Sequence, residues 1–402
     1  MAQSLGSAGF LLASTVSPLV GAQLGGGAAW TGTPAAVYQA GAALLAYVWG
    51  LAMDRLGRRP TLALGVGLGA LGAVLASVSV ARARFPAFLA GVACMGMAFS
   101  ALQLGRFVAA EVSAPSRRAR ALSTVVFGGT VGAVLGALLV GPAGAFVRSR
   151  GVDELAGPYL ASAVLLALVS GLLLVFLRPE PRDVATAVAD VLAARGAGSD
   201  AQRALVEIIR QPGARLAVVT LVLAQAIMVM LMVVTGVHMK DHAHALHAIS
   251  LVIAAHVVGM YALSVLSGRL TDARGARGTI GAGALVLLLS CLLAPLSPGV
   301  VPLVVSLFLL GWGWNLCYVA GSALLSSQLR PAERARVQGL NDLLMGSASA
   351  AGALGSGVVF AAIGYRAMAL VSAAASLALF LLALSFRELR EQRALAPAGG
   401  QA

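Results

Sequence analysis

An apolar run in this chain stops abruptly at Gly50-Leu51-Ala52-Met53-Asp54-Arg55-Leu56-Gly57-Arg58-Arg59-Pro60. Charge at bilayer depth is costly, so a membrane-buried helix has to end here. Gly57 suits a tight turn, and Pro60 suits the first turn of a new helix. The pattern returns 218 residues later, where Gly268, Asp272, Gly275 and Arg277 take the places of Gly50, Asp54, Gly57 and Arg59. A second block repeats at an offset of 216: Pro115-Ser-Arg-Arg118-Ala-Arg120 and Pro331-Ala-Glu-Arg334-Ala-Arg336. Two copies of each block, set beside apolar helices, point to a duplicated membrane protein.

Composition agrees. Of 402 residues, 59% are hydrophobic and 11% charged, with a mean hydropathy of +0.91. A soluble chain carries about 25% charged residues. The net charge of +13 is scattered among apolar runs rather than gathered on one face, so it reads as loop arginine and not as a nucleic-acid surface. Cys94, Cys291 and Cys317 all fall in apolar runs, which excludes a disulfide framework and a thiolate metal site. The N-terminus has no basic residue ahead of its first apolar run, so Phe10 to Leu24 reads as a span rather than a cleaved leader. No Gly-x-x-x-x-Gly-Lys is present, so an ATP-driven pump is not expected. No nucleophile or metal constellation suggests an enzyme, and no cofactor is expected.

At roughly 20 apolar residues per crossing, twelve spans are expected, at 7–25, 33–53, 61–81, 87–109, 121–141, 156–177, 216–237, 248–268, 278–296, 301–324, 343–363 and 367–386. With the N-terminus inside, 21 Lys and Arg fall in cytoplasmic segments and six in outer ones. The positive-inside rule then puts both termini in the cytoplasm. The expected organisation is a six-helix bundle at 1–177, a cytoplasmic linker at 178–215, a second six-helix bundle at 216–386 and a tail at 387–402. The linker holds Pro-Glu-Pro-Arg and two amphipathic pieces, 183–194 and 201–210, which read as surface segments lying on the inner face of the membrane. The tail after Arg393 is rich in Ala, Gly and Pro.

The run G-x-x-x-D-R-x-G-R-R resembles the signature of the loop between helices 2 and 3 in the major facilitator superfamily of secondary transporters. The resemblance covers nearly the whole chain. It implies an all-α membrane fold of twelve helices in two pseudo-symmetric six-helix bundles, working by alternating access with the site between the halves. It also implies that the first turn, Asp54, Arg55, Gly57, Arg58 and Arg59, locks the cytoplasmic side shut in the outward-facing state. Arg58 would then pair with Glu111 below span 4, and Asp342 would face the turn across the interface. A plainer reading makes the turn a topogenic loop that only sets orientation. The second copy, Asp272, Gly275 and Arg277, has Ala273 and Ala276 where the first has Arg55 and Arg58, so it is expected to be a weaker latch.

Two features bear on subtype. Gly128, Gly132 and Gly136 in span 5 repeat every four residues, a spacing that lets helices approach closely. Drug–proton antiporters of the superfamily carry Gly-x-x-x-Gly-Pro-x-x-Gly-Gly in this span. Here Gly132-x-x-x-Gly136 is similar, but Ala137 stands in place of the Pro, and Gly141-Pro142 comes later. The antiporters' early span-4 arginine is missing too, since counting back from Glu111 reaches Gly91; Arg106 lies instead near the inner end, placed for pairing with Glu111 or latch support more than for substrate.

The five histidines lie between 238 and 256. His238, His242, His244 and His247 are expected in the outer loop between spans 7 and 8, either as a metal or pH-sensing site or as a solvated loop. No metal spacing is recognisable there. His256 lies near the middle of span 8, and is either a proton carrier or a hydrogen-bonded core residue. Gln39, Gln225, Tyr261, Trp314 and Asn315 are the uncharged polar and aromatic groups at depth, and are the candidates for a substrate cavity. No carboxylate and no basic cluster is expected at mid-membrane, which argues against inorganic cations and organic phosphates as cargo. The reading favoured is a monomeric, proton-coupled exporter of small organic compounds in a bacterial-type inner membrane. Its rivals are an uptake symporter or facilitator for a metabolite, and a non-transporting membrane sensor on the same fold.

Overall fold

The computed structural model describes residues 1–111, 118–181, 204–329 and 333–386. The side chains of Asp54, Arg106, Glu111, Arg334 and Arg336 lie outside the description, as do the first amphipathic piece of the linker and the tail from 387. The described residues form helices joined by short turns: α1 (Ala2–Gly25), α2 (Thr33–Leu56), α3 (Arg58–Ala81), α4 (Phe85–Glu111), α5 (Arg118–Arg148), α6 (Ala156–Phe176), α7 (Leu205–Arg210), α8 (Pro212–Asp241), α9 (Leu246–Tyr261), α10 (Ser264–Leu293), α11 (Val300–Ser327) and α12 (Arg334–Ser385). One-turn 3-10 helices sit at Ala28–Trp30 and Ala294–Leu296.

Among the described residues, ten stretches are long and apolar enough to cross a membrane. Two of them, Leu246–Leu296 and Val337–Ser385, run to 51 and 49 residues. At about 1.5 Å per residue each could span a core of about 30 Å twice. Each is broken inside by a glycine in the left-handed region, Gly275 at φ 75° and Gly364 at φ 76°. The sequence suggests loops at these places. Instead the chain reverses on a single residue, which only glycine accommodates without a Cβ clash.

Two bundles result. In the first, α1 packs on α5 and α6, α3 on α4 and α6, and α2 on α4; in the second, α8 packs on α11 and α12, and α10 on α11 and α12. Lipid supplies no hydrophobic drive between helices, so close backbone approach has to do the work. The α5 glycines do this. A Cβ at Gly132 would run into the Ser4 carbonyl, and one at Gly136 into that of Ala8. Their every-fourth-residue spacing is therefore a packing seam against α1. Outward faces carry exposed Leu71, Phe176 and Val265, as a lipid-facing surface should.

The bundles meet through α1 with α8, α2 with α12, and α5 with α9. The tight contacts lie at the end opposite the Asp–Arg turns. There the Gly32 backbone abuts Ala353, Gly357 abuts Ala28 and Ala29, and Gly141 lies against His247. Toward the turn end, a Cβ at Gly50, Gly268, Gly339 or Gly346 would meet open space. The two bundles are thus in backbone contact at the far end.

Three boundaries differ from expectation. The linker piece 205–210 is α7, and Ile208 buries in a cluster with Ala217, Leu221 and Leu325 of the second bundle. Span 7 starts at Pro212, because proline at a first helical position lacks only an N–H that would be unpaired anyway. Span 8 is not continuous: it breaks between Tyr261 and Ser264.

Candidate functional site

Between the bundles lies a cavity of about 230 Å³. α1 contributes Ser14, Thr15, Ser17 and Pro18, and α2 contributes Tyr38 and Gln39; the second bundle contributes Gln225, Met232, Ile253 and Ser349. Among the described residues, no lining side chain is an acid, a base or a histidine. Pro18 removes the N–H that would otherwise bind the Ser14 carbonyl in α1. The α1 hydroxyls bond back to their own helix, Ser14 and Thr15 to the Leu11 carbonyl and Ser17 to that of Ala13, so they offer lone pairs rather than hydrogens to the cavity.

Gln225 is the most organised group in the wall. Trp314 Nε1 donates to its Oε1 at 2.8 Å, and its Nε2 donates to Ser349 Oγ at 2.7 Å. Trp314 itself stands behind the wall, stacked on Tyr318 at 4.8 Å and edge-on to Tyr261 at 6.3 Å. Gln39, on the opposite bundle, makes no hydrogen bond to a described residue.

Of the five expected cavity groups, then, Gln39 and Gln225 line the space, while Trp314 and Tyr261 support it from behind. Asn315 does something else. Its Nδ2 donates to the Met260 carbonyl and to Ser264 Oγ, and its Oδ1 accepts from Ser267. It bridges the α9–α10 break and satisfies backbone that the break exposes. Helical periodicity placed Asn315 beside Trp314 in sequence but could not show that it faces the opposite neighbour.

His256 is fully buried and does not line the cavity. Its Nδ1–H donates to the Leu307 carbonyl at 3.0 Å, and its Nε2 is buried with no partner among the described residues. This geometry favours the core reading over the carrier reading. The other histidines are not one loop. His238 belongs to the last turn of α8, where it stacks on Tyr365 at 4.0 Å, nearly parallel. His242 Nδ1–H donates to the His238 carbonyl, His244 bonds the Pro298 carbonyl, and His247 lies in the first turn of α9. Among the described residues, no three His, Cys, Asp or Glu side chains converge as metal ligands would.

The two Asp–Arg turns share a scaffold. Gly57 (φ 98°, ψ 164°) and Gly275 (φ 75°, ψ 163°) make the same reversal. Thr61 and Thr279 each donate to the carbonyl of that glycine. Arg59 donates to the Leu174 carbonyl at the end of α6, and Arg277 donates to Ala383 and Leu384 at the end of α12. Both arginines cap the last carbonyls of a neighbouring helix, which have no partner of their own.

The first turn has one more element, missed from the sequence. Glu180 Oε1 accepts from the backbone N–H of Arg58 at 2.6 Å and of Arg59 at 3.2 Å. A linker carboxylate thus sits at the positive end of α3. The acid in Pro-Glu-Pro-Arg was the available signal, but nothing local says which helix it meets. Arg58 also donates to the Met53 carbonyl. Its expected pairing with Glu111 lies outside the described residues, as does the Asp54 side chain. Arg55 is exposed on the last turn of α2, and Asp272 is exposed in the second turn. Asp342 is exposed and accepts from Gln338 at 2.9 Å.

The model of the family described as Major Facilitator Superfamily matches residues 1–243 and 216–402. The chain belongs to this superfamily. An uncharacterized MFS-type transporter of Bacillus subtilis, YddS, is 35% identical over 97% of this chain and 90% of its own length. The riboflavin transporter RfnT of Brucella anthropi is 30% identical over 86% of this chain and 83% of its own. Among solved structures, the nucleoside transporter NupG superposes with a TM-score of 0.69 at 16% identity, covering 96% of this chain and 98% of that one. An inward-facing, occupied bacterial homolog of the human lysosomal transporter Spinster gives 0.69 at 14%, covering 96% and 94%. These likenesses show the superfamily fold. The drug–proton antiporter subtype is not among what they establish, and the chain is a membrane transporter rather than an enzyme.

Proposed function

We propose that this superfamily member moves a small uncharged organic molecule across a bacterial inner membrane by alternating access, with proton coupling and export as its direction. One observation carries the reading: a cavity walled by both bundles, uncharged in its described lining, with the bundles in backbone contact at one end. Counting a crossing on each side of Gly275 and Gly364 gives twelve spans. With the arginine-rich turns in the cytoplasm, the end where the bundles touch is the outer one. The chain is taken to act as a monomer.

The 30% identity to a riboflavin transporter makes riboflavin the first compound to try. Purified protein in liposomes with an imposed pH gradient is the test. Gradient-dependent flux of riboflavin supports coupled transport, and its sign gives the direction. Equal flux with and without the gradient would reduce the protein to a facilitator, and none for any small organic probe would favour a sensor. His256→Gln, which keeps a hydrogen bond and removes titration, is expected to retain gradient-driven flux, because the ring faces Leu307 rather than the cavity. Loss of the pH response alone would restore His256 as the proton carrier.

A further inference from the structure

The cavity presents one side chain whose orientation is determined by its neighbours. An indole N–H can only donate. Trp314 therefore fixes which end of the Gln225 amide is oxygen, and the nitrogen has to point at Ser349. Tyr318 stacks on one side of the Trp314 ring and Tyr261 meets it edge-on, which favours this orientation. Ser349 is buried and accepts from Gln225, so its own hydroxyl hydrogen is left for another acceptor.

A side-chain amide has two N–H donors and two carbonyl lone pairs. These contacts use one of each. One N–H and one lone pair of the same amide remain, on a residue that lines the cavity. Left empty they are hydrated when the cavity is open, and they need partners when a ligand displaces that water. A single ligand group that meets both has to offer a carbonyl and an N–H side by side. An open-chain secondary amide does not, because the trans peptide geometry puts them on opposite edges and the cis form is costly. A ring amide, a lactam or imide, holds them on one edge. Gln39, across the space and without a hydrogen bond to a described residue, is a second amide for the far side of such a ring.

The rest of the wall agrees. Met95, Met232, Val229 and Ile253 are apolar, and methionine adapts to ring faces. No described lining residue is basic, so a phosphate would meet no counter-charge there and would lose its hydration.

We infer that Gln225, held by Trp314 and Ser349, is the specificity-determining residue of the cavity and selects an uncharged substrate through a ring-amide edge. The inference rests on the cavity being the transport site, as proposed above.

The experiment measures binding to the purified full-length protein in detergent with three probes: riboflavin, which carries a ring imide; N3-methylriboflavin, in which the imide N–H is blocked; and riboflavin 5′-phosphate. Riboflavin is expected to bind, its N-methyl form to bind about tenfold more weakly, the loss of one hydrogen bond with a polar group left unmet, and the phosphate not to compete. Gln225→Ala should weaken riboflavin to the level of the N-methyl compound and leave the N-methyl compound unchanged. Trp314→Phe, which removes the orienting N–H together with part of the ring, should fall between. Should Gln225→Ala fail to fold, the pair of flavins on the unaltered protein decides the matter alone. Equal binding of the two flavins, absence of riboflavin binding, or a Gln225→Ala variant that still discriminates between them would each overturn the assignment. The two readings fail separately. Transport of a compound without a ring amide, with no riboflavin binding, sinks the selectivity and keeps the transporter. Discriminating binding without flux in liposomes does the reverse.

Discussion

The two Asp–Arg turns began as copies of one element and now differ. Both retain the glycine reversal, the threonine that bonds it, and an arginine that caps the end of another helix: Gly57, Thr61 and Arg59 in one, Gly275, Thr279 and Arg277 in the other. These shared residues hold each bundle's base together. The first turn adds Arg55, Arg58 and the bound carboxylate of Glu180. The second has Ala273 and Ala276 in place of the two arginines, and Ala276 packs against a cluster of Leu216, Ile280, Ala320 and Ala383. What survives in both copies reports on folding. What is present in one alone is where an asymmetric function can reside.

The comparison is most exposed by paired substitutions. Asp54→Asn is expected to reduce flux in liposomes on the order of tenfold, a usual size for the loss of a conformational coupling, with insertion intact and more labelling of cysteines placed at the turn end. Asp272→Asn should change flux far less. Equal losses would mean that the turns are equivalent latches, and no loss in either would leave them as topogenic loops.

The next effect is on stability and should be symmetric. Arg59→Ala and Arg277→Ala each remove a charged donor from helix-end carbonyls, worth about 1.5–3 kcal/mol for such bonds. Thermal unfolding in detergent should fall by a similar amount in the two variants. A large fall in one alone would break the claim that these arginines share a job.

The smallest effect belongs to the first turn alone. Glu180→Gln keeps a hydrogen-bond acceptor but removes the charge at the start of α3, worth about 0.3–1 kcal/mol. A small drop in unfolding temperature that shrinks at high salt is expected. No drop at any salt would mean that the carboxylate lies there without stabilising the turn.

Much of this was legible in the chain. The turns, the apolar stretches and the all-helical fold follow from the cost of charge and of unpaired backbone in lipid, which act locally and at every position. The glycine row in α5 announced a close helix contact, although not that α1 would fill it. The side-chain roles were harder. Trp314 and Asn315 are neighbours in sequence, yet one orients Gln225 and the other closes the α9–α10 break. His256 was visible as a buried ionisable group, but its bond to Leu307 was not.

By itself, then, the sequence determined a duplicated helical membrane protein, its reversals and its superfamily, because membrane depth penalises the wrong residue wherever it falls. Only the tertiary structure decided which polar groups meet. Glu180 reaches α3, Trp314 reaches Gln225 and Arg277 reaches α12 across gaps in the chain that no local propensity spans. A helix presents a polar residue to one neighbour out of several, and the packing of the two bundles selects which.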